Sequence, residues 1–469
     1  MSPRWDAIVV GSGPNGLAAA IELARHQRSV LVLEAAAEPG GGMRTAELTL
    51  PGFKHDVCAS IHPTGLASPF FKRLPLDVEW VHPDVPLAHP LDGGRAVIME
   101  RSVSRTAERL GRDGRAYQSL MAPFVAGWDR IDREALGPVS IFPRAPFLML
   151  RLAFYGLRSA RSLVGRFQGQ EAPALLAGLA GHSVLPMEWM PSAAAALALG
   201  TLAHRVGWPM VRGGTGALAR ALLGVLHQLG GEVRCNHPVR SLRELPEARI
   251  KLLDLTPRQF VAMAGDDLPS SWKDRLLSFR YGPGVVKVDY ALSAPVPWTN
   301  PEVARAATVH LGGTFEEIAR SERACWEGRH AERPYVLCVQ NSLFDATRSP
   351  QGKHTLWAYC HVPNGSPLDA SPWIDDQIER FAPGFRELVL ARSVLTPDRL
   401  QSYNANYVGG DITGGALTLR QLFTRPVVQL DPYRTPLPGV FLCSSSTPPG
   451  GGVHGMCGYH AARSALAGW

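Results

Sequence analysis

The stretch "AIVVGSGPNGLAAAIELARHQRSVLVLE", residues 7–34, decides the fold class. An apolar run ends in a glycine turn, an amphipathic helical pattern follows, and a second apolar run closes the unit. Gly11, Gly13 and Gly16 fill the pattern G-x-G-x-x-G between a strand and a helix, which is the context that gives this pattern meaning. The stretch therefore predicts an α/β fold with a Rossmann-like unit at its start.

The turn directs the start of the following helix, at Pro14 and Asn15, toward whatever lies in front of it. The positive end of the helix dipole favours a pyrophosphate at that position. Glu34 ends the second strand, where a carboxylate accepts hydrogen bonds from a ribose diol. An ordinary turn between strand and helix is the alternative, but the helix and the acid together favour a dinucleotide.

A second glycine cluster follows directly in "AAAEPGGGMRT", residues 35–45, where the residues of interest are Gly41, Gly42, Met43 and Arg44. It predicts a loop that closes over the same pyrophosphate, with the Arg44 guanidinium as its charge partner. A tight surface loop is the alternative. With this loop the sequence resembles the flavoprotein superfamily of amine oxidases, protoporphyrinogen oxidase and phytoene (carotenoid) desaturases. The resemblance implies FAD as the cofactor, with Arg44 near the pyrophosphate or the flavin edge.

The C-terminal stretch "GVFLCSSSTPPGGGVHGMCGYHAA", residues 439–462, reads as a strand, a glycine turn and a helix. Three consecutive glycines cost stability unless the backbone must bend sharply or approach something closely. The resemblance implies that this stretch returns to the flavin, and that the helix dipole favours negative charge there. The resemblance adds five residues to the cofactor site: Val239 at the adenine, and Gly451, Gly452, Val453 and His454 at the flavin. His454 is also the best catalytic candidate.

The resemblance extends over almost the whole chain, and its nearest members are the phytoene desaturase-like oxidoreductases with the pyridine nucleotide-disulfide oxidoreductase domain proteins. It implies a discontinuous FAD-binding domain of the glutathione-reductase type, an inserted α+β substrate domain and a helical subdomain that faces substrate or membrane. We expect the FAD-binding domain at residues 1–84, 206–284 and 401–469, the helical subdomain at 85–205 and the β-sheet domain at 285–400.

The pattern "GGTGALARAL", residues 213–222, resembles a second dinucleotide turn, but no buried strand precedes it. We therefore expect a capped helix beside the first domain and no nicotinamide partner. Neither a zinc-binding H-E-x-x-H nor a nucleophile-elbow G-x-S-x-G pattern is present, which disfavours a metal site and hydrolysis.

Catalytic candidates are Lys287, His62 and His454. In "VVKVDY" a period of two places Lys287 and Asp289 on one sheet face. By resemblance to amine oxidases, Lys287 is a candidate for assisting flavin reoxidation, but an Asp–Lys pair on a solvated face is the preferred interpretation. His62 is expected near the cofactor. Three further histidines are either substrate-cavity residues or ordinary core residues: His182, His204 and His361.

The segment "IFPRAPFLMLRLAFYGLRSARSLVGRF", residues 141–167, alternates arginines with apolar residues. Helical periodicity places Arg144, Arg151, Arg158 and Arg161 near one face, opposite Met149, Ala153, Ala160 and Phe167. A basic amphipathic helix of this kind lies in a membrane interface. A helix buried on its apolar side, with solvated arginines, is the alternative.

Composition sets the remaining bounds. The 469 residues are 45% hydrophobic, as in folded proteins, and the net charge of +7 does not by itself indicate a nucleic acid. Seven cysteines without a C-x-x-C pair favour a reduced, cytoplasmic setting, with peripheral membrane contact as an addition. The resemblance implies desaturation of a lipophilic isoprenoid or polyene, with O2 or a quinone as acceptor. Oxidation of an amine or other small molecule, double-bond saturation or isomerisation, and a catalytically silent FAD-binding scaffold are the alternatives.

Overall fold

The computed structural model describes residues 5–138 and 142–468. Its first unit follows from the opening stretch: β1 (Trp5–Val10), α1 (Pro14–Arg25) and β2 (Val30–Leu33). Residues 7–10 of β1 and all four residues of β2 are buried, as in central strands of parallel sheets that are covered on both faces. Helix α1 starts with a proline at its first turn, where the missing N–H costs nothing.

A five-stranded parallel sheet collects strands from three distant parts of the chain. Its order is β16-β10-β1-β2-β9, with all four pairs parallel. The strands added to β1 and β2 are β9 (Glu232–Arg234), β10 (Ala248–Leu253) and β16 (Val440–Leu442). The carboxyl ends of the strands share one edge, which is where open α/β sheets bind their ligands.

A second sheet of seven strands has the order β15-β11-β14-β13-β12-β6-β7 and is antiparallel except between β12 and β6. Its strands are β6 (Val85–Pro90), β7 (Ala96–Met99), β11 (Gly284–Leu292), β12 (Ala306–Leu311), β13 (Val336–Val339), β14 (His354–Val362) and β15 (Val389–Leu395). We expected residues 85–205 to be helical, but their first part forms β6 and β7. The backbone edge of β6 pairs with β12, which lies more than 200 residues later in the chain, so this part of the sheet cannot be inferred from local sequence.

Helices cover both sheets, and two short ladders complete the fold. The ladders pair β3 (Thr45–Glu47) with β4 (Lys54–Asp56), and β5 (Trp80–Val81) with β8 (Met210–Val211). The remaining helices are α2 (Pro63–Ala67), α3 (Val103–Arg109), α4 (Gly114–Ala135), α5 (Pro146–Gly156), α6 (Ala160–Val164), α7 (Glu171–Gly181), α8 (Ala193–Arg205), α9 (Thr215–Gln228), α10 (Pro257–Ala264), α11 (Ser270–Leu277), α12 (Phe315–Trp326), α13 (Ser371–Phe381), α14 (Pro397–Tyr403), α15 (Leu419–Thr424) and α16 (Met456–Leu466). Within the described residues, no helix has both the length and the apolar character needed to cross a bilayer.

Helix α9 carries the second glycine pattern, and its N-terminus is already occupied by protein groups. The Asp56 Oδ1 atom accepts from the Thr215 N–H at 2.8 Å, and the Thr45 hydroxyl accepts from the Gly216 N–H at 2.9 Å. Arg348 also pairs with Asp56 at 2.9 Å, and both side chains are buried. The Asp56 carboxylate thus lies at the start of α9, where a dinucleotide turn would hold a phosphate. The prediction of a capped helix is confirmed.

The segment expected to form one amphipathic helix is divided between α5 and α6, with Ile141 outside the described residues. The assignment of its faces was wrong. Large apolar side chains point to solvent: Phe142, Phe147, Leu150 and Phe154 are 90%, 88%, 68% and 54% exposed. The alternative with solvated arginines does not describe two of them, which contact the protein: Arg151 donates to the Ser119 carbonyl, and Arg161, although 40% exposed, pairs with Glu188 and Glu316.

Candidate cofactor and substrate site

A cavity of about 980 Å³ extends from the carboxyl edge of the five-stranded sheet to one face of the seven-stranded sheet. This volume lies at the upper end of the roughly 300–1,000 Å³ typical of ligand pockets. Most predicted cofactor residues line the cavity: Gly11, Gly13, Pro14, Asn15, Glu34, Gly41, Gly42, Arg44, Val239, Gly451, Gly452 and Val453. Gly16, Met43 and His454 do not line it.

The first glycine turn is fastened to the acid at the end of β2. Both the N–H and the hydroxyl of Ser12 donate to Glu34 Oε2, at 2.9 and 2.5 Å. Glu34 Oε1 accepts from the Ala36 N–H at 2.9 Å. The carboxylate is therefore oriented before any ligand arrives, and it faces the cavity with Val239 as a neighbouring lining residue.

The second glycine loop lies directly on the first. The Gly40 N–H donates to the Ser12 carbonyl at 3.1 Å. Gly41 has a φ of +56°, and a Cβ atom there would lie 2.9 Å from the Gly13 Cα atom. Only glycine permits this approach without displacing the first turn. Two glycine loops in contact at the start of α1 form a narrow backbone cradle.

Arg44 and Met43 complete this loop in different ways. The Arg44 guanidinium lines the cavity, lies 3.3 Å from Glu34 Oε1, and stacks over the Tyr403 ring at 5.3 Å from its centroid. Met43 is buried in the core and contributes packing alone. Arg44 is thus a cation held at the cavity wall, whereas Met43 does not reach it.

Asp254 is a buried carboxyl group that sequence reasoning missed. It follows β10, lines the cavity, and accepts from the Gly16 N–H through Oδ2 at 3.0 Å. Burial raises the pKa of Asp254 to about 7; the Gly16 hydrogen bond opposes this shift and the charge of Glu34 adds to it. An acid directly after the strand pattern "ARIKLL", whose apolar residues alternate with charged ones, was the signal that could have revealed it.

The C-terminal glycine turn reaches the cavity through its loop and not through its helix. Gly451, Gly452 and Val453 line the wall, while α16 begins only at Met456. His454 is buried, its Nδ1 accepts from the Met456 N–H at 3.0 Å, and burial lowers its pKa to about 4. The imidazole therefore caps the helix, and the expected contact of His454 with the cofactor cavity is not found.

His62 was also expected beside the cofactor, yet it faces the protein interior. Its Nε2 lies 2.8 Å from the Thr215 hydroxyl, and burial lowers its pKa to about 4. His204 bonds the Tyr117 hydroxyl and the Arg101 carbonyl and is satisfied inside the protein. His361 bonds Glu322 through Nδ1, while its buried Nε2 has no hydrogen-bond partner. Of the three further candidates, His182 is the one that lines the cavity.

Lys287 and Asp289 share one face of β11, as the alternation predicts, but that face is not solvated. Lys287 is 2% exposed and Asp289 is fully buried, and the two form an ion pair. Lys287 lines the cavity and lies 5.7 Å from the centroid of the Trp357 ring. The preferred interpretation of a solvated pair was wrong. The alternation along one strand shows which residues share a face, but it does not show whether other parts of the chain cover that face.

A buried charge network extends from this pair toward β4. The His55 Nδ1 atom lies 3.5 Å from Asp289 Oδ1, and burial together with the Lys287 charge lowers the pKa of His55 to about 3. Burial raises the pKa of Asp289, while the Lys287 ammonium opposes that rise. The network fixes a neutral imidazole behind an ion pair and holds Lys287 at the cavity wall.

Known proteins resemble this chain at the level of its first domain and of its whole length. A model of the NAD(P)-binding Rossmann-like domain matches residues 9–74. The chain is 26% identical to pyridine nucleotide-disulfide oxidoreductase domain-containing protein 2 of Rattus norvegicus, over 99% of this chain and 93% of that protein. It is 22% identical to a component of the limonene dehydrogenase of Castellaniella defragrans, over 98% of this chain and 94% of that protein.

Among solved structures, putrescine oxidase superposes with a TM-score of 0.62 at 17% sequence identity, covering 99% of each chain. At this identity the likeness shows a shared fold. Residues 9–74 are a Rossmann-like dinucleotide-binding domain. The relatives support an oxidoreductase, and the match of residues 9–74 supports a dinucleotide type of cofactor.

Proposed function

We propose that this protein is an FAD-dependent oxidoreductase of the phytoene desaturase-like type, acting on a lipophilic substrate. The observation that carries the proposal is the continuity of one cavity. The cradle of two glycine loops and the mainly apolar side chains of the seven-stranded sheet line the same space. A cofactor held by the loops would therefore extend to a substrate on the sheet.

The residues of the cradle fit FAD. The amide oxygen of Asn15 is buried without a hydrogen-bond partner although the residue lines the cavity, so it can accept from a hydroxyl or N–H group of the cofactor. Glu34 would hold the ribose, Arg44 would neutralise the pyrophosphate, and Gly451 and Gly452 would let the flavin end approach the backbone. We assign the domain to the glutathione-reductase type, with a substrate domain built on the larger sheet.

When bound, FAD would supply the acceptor for a hydride, and loss of a proton from the neighbouring carbon would leave a C=C bond in the substrate. The protein's part is position and exclusion of water. Val285, Leu337 and Val339 line the sheet side of the cavity. Such a wall suits an isoprenoid or polyene-like molecule, and the likeness to the limonene dehydrogenase component supports the same class. The final acceptor would be O2 or a quinone.

An anaerobic titration tests this proposal. The purified protein would be loaded with FAD and followed by visible absorption while lipid extracts, isoprenoids and amines are added one at a time. Bleaching by an isoprenoid fraction is the expected result. A flavin that no oxidisable compound bleaches, but that reacts after chemical reduction with an unsaturated compound, would replace desaturation by saturation. A flavin that responds to nothing would leave a silent scaffold.

Oxidation of an amine is the second candidate, because the fold is shared with putrescine oxidase and Lys287 lines the cavity. Replacement of Lys287 by Met removes the ammonium and keeps the length of the side chain. If Lys287 assists reoxidation, the variant should react with O2 at least tenfold more slowly after anaerobic reduction. An unchanged rate would remove this role of the lysine.

Contact with an anionic membrane would bring a lipophilic substrate to the protein. Phe147, Leu150 and Phe154 recur at helical spacing on α5 and are exposed. Residues 137–170 contain five arginines and no acidic residue. An exposed apolar stripe with basic surroundings fits the interface of anionic lipids.

Flotation with vesicles of phosphatidylglycerol and phosphatidylcholine tests this contact. The wild-type protein is expected to float with the vesicles at low salt, and a variant with Phe147, Leu150 and Phe154 replaced by Ser is expected to remain below. Leu277→Ser is the control, because Leu277 is an exposed leucine on α11 and not on α5. Wild-type protein that stays at the bottom would reject membrane contact.

A further inference from the structure

The wall that the seven-stranded sheet presents to the cavity carries hydrogen-bond donors without protein partners. The Thr308 hydroxyl and the Trp357 indole nitrogen are buried, and neither has a hydrogen-bond partner. Both residues line the cavity. Because buried polar groups are normally satisfied, two orphaned groups on one wall point to a ligand that completes them.

The sheet register places these two groups side by side. Thr308 on β12 pairs with Val339 on β13, and Val339 pairs with Trp357 on β14. Residues directly opposite each other in a sheet project from the same face, so a single apolar side chain separates the two donors. The indole nitrogen can only donate. A ligand that satisfies this row must therefore offer an acceptor.

His182 faces the same cavity and is a third donor. Its Nε2 lies 3.0 Å from the Nε2 of His310, so one of the two rings must donate. The Nδ1 of His310 packs against Gly178 and has no partner. Orphaned N–H groups are rarer in protein interiors than orphaned acceptors, so His310 carries its proton on Nε2 and donates to His182. His182 then carries its proton on Nδ1.

The protonation state of His182 agrees with this role. Burial lowers the pKa of His182 to about 3, so the ring is a neutral donor at physiological pH. Carboxylates line the cavity only at the opposite end, where the described residues place Glu34 and Asp254 beside the glycine loops. At the sheet end no carboxylate among the described residues lines the cavity. The nearby Asp289 carboxylate is already paired with Lys287, so none is left to balance a cationic ligand.

We propose that this donor wall, formed by Thr308, Trp357 and His182, binds an oxygen acceptor of the substrate. The substrate is a lipophilic molecule with a carbonyl or carboxylate oxygen, and it is neither a plain hydrocarbon nor an amine. This inference rests on the proposed function, since it concerns the substrate end of the same cavity. It narrows the isoprenoid class to its oxygenated members.

Binding measured without turnover tests the donor wall. Three probes share one isoprenoid skeleton and differ at the terminal group: farnesal with a carbonyl, farnesene with none, and farnesylamine with an ammonium. Calorimetry on the FAD-loaded protein under anaerobic conditions gives each dissociation constant. Farnesal is expected to bind about tenfold more tightly than farnesene, as one or two net hydrogen bonds allow. Farnesylamine is expected to bind most weakly.

Variants separate the wall from general packing. Thr308→Val and Trp357→Phe should each weaken farnesal about fivefold and leave farnesene unchanged, since each removes one donor. Thr308→Ser should keep the preference for the carbonyl. Thr355→Val is the control, because Thr355 is a buried threonine on β14 that does not line the cavity. Thermal unfolding of each variant confirms that it is folded.

Equal affinities for farnesal and farnesene, tightest binding of farnesylamine, or equal losses for both probes in the variants would overturn the donor wall. Flavin bleaching by a hydrocarbon, together with any of these results, would leave the proposed function standing and refute the wall alone. A clear preference for farnesal, together with a flavin that no compound bleaches, would leave the donor wall standing and refute the proposed function. The two failures are therefore distinguishable.

Discussion

Replacement of Asp254 by Asn is the perturbation that most directly tests the electrostatics of the cradle. The carboxyl oxygen Oδ2 accepts from the Gly16 N–H at 3.0 Å, and a Cβ atom on Gly13 would lie 2.8 Å from the same oxygen. The group is therefore in contact with the turn that would hold a pyrophosphate. Its pKa is raised to about 7, chiefly by burial, so it loses its proton within the physiological range.

The sign of the effect follows from the charge of the ligand. The negative charge of a bound pyrophosphate favours the protonated form of the Asp254 carboxyl. At a pH above the pKa that Asp254 has in the apoprotein, this carboxylate therefore takes up a proton when FAD binds. Affinity should then fall as pH rises, by up to about tenfold for each unit above the pKa. Between pH 6 and pH 8 the wild-type dissociation constant is expected to rise about tenfold, or roughly 1.4 kcal/mol.

Asparagine keeps an acceptor for the Gly16 N–H and cannot ionise. Asp254→Asn should therefore bind FAD with little dependence on pH, and about tenfold more tightly than the wild type at pH 8. Quenching of flavin fluorescence during titration of the apoprotein at pH 6, 7 and 8 measures both constants. Asp113→Asn is the control, because Asp113 is a buried acid that caps Gln168 and Gly169 outside the cavity. Equal pH slopes for Asp254→Asn and wild type would refute the reasoning.

Three further changes probe the cradle and its supports. Gly41→Ala should weaken FAD binding at least tenfold, because the added Cβ atom enters the first glycine turn. Gly352→Ala, at a similar φ but in open space, is the control and should leave FAD binding unchanged. Equal losses of FAD affinity in the two variants would contradict the contact between the loops. Asp56→Asn should destabilise the protein by about 3–5 kcal/mol by leaving the buried Arg348 unpaired, and a thermal midpoint within error of wild type would count against this. His454→Ala should lower stability by about 1 kcal/mol through loss of the helix cap and leave the rate of flavin reduction by substrate unchanged, and a large loss of that rate would restore His454 as a catalytic residue.

The local parts of this fold could be predicted from the sequence. The first glycine turn depends on residues within one βαβ unit, so Gly11, Gly13 and Glu34 were found where the motif placed them. The alternation on β11 was likewise correct, because a strand's period is a local property. Whether a face of a strand is buried depends on what packs against it, which the strand's own sequence does not show. For this reason Lys287 was expected on a solvated face but is buried.

Non-local contacts explain the other differences. Asp254 becomes part of the cradle only because β10 pairs with β1, and the strand pairing brings together residues about 240 positions apart. His454 lies one residue from the cavity wall, but its side chain turns toward the start of α16. The exposed aromatic residues of α5 follow from the packing of its other face against α4 and α8, which a helical pattern alone does not determine.

The identity of the bound cofactor tests the central claim most directly. The protein would be purified without added nucleotide, its visible absorption recorded, and the small molecule released by denaturation identified by mass spectrometry. The account predicts a flavin spectrum and release of FAD in an amount equal to the protein. Release of a nicotinamide nucleotide in place of FAD, or a protein that neither contains flavin nor binds added FAD, would contradict it.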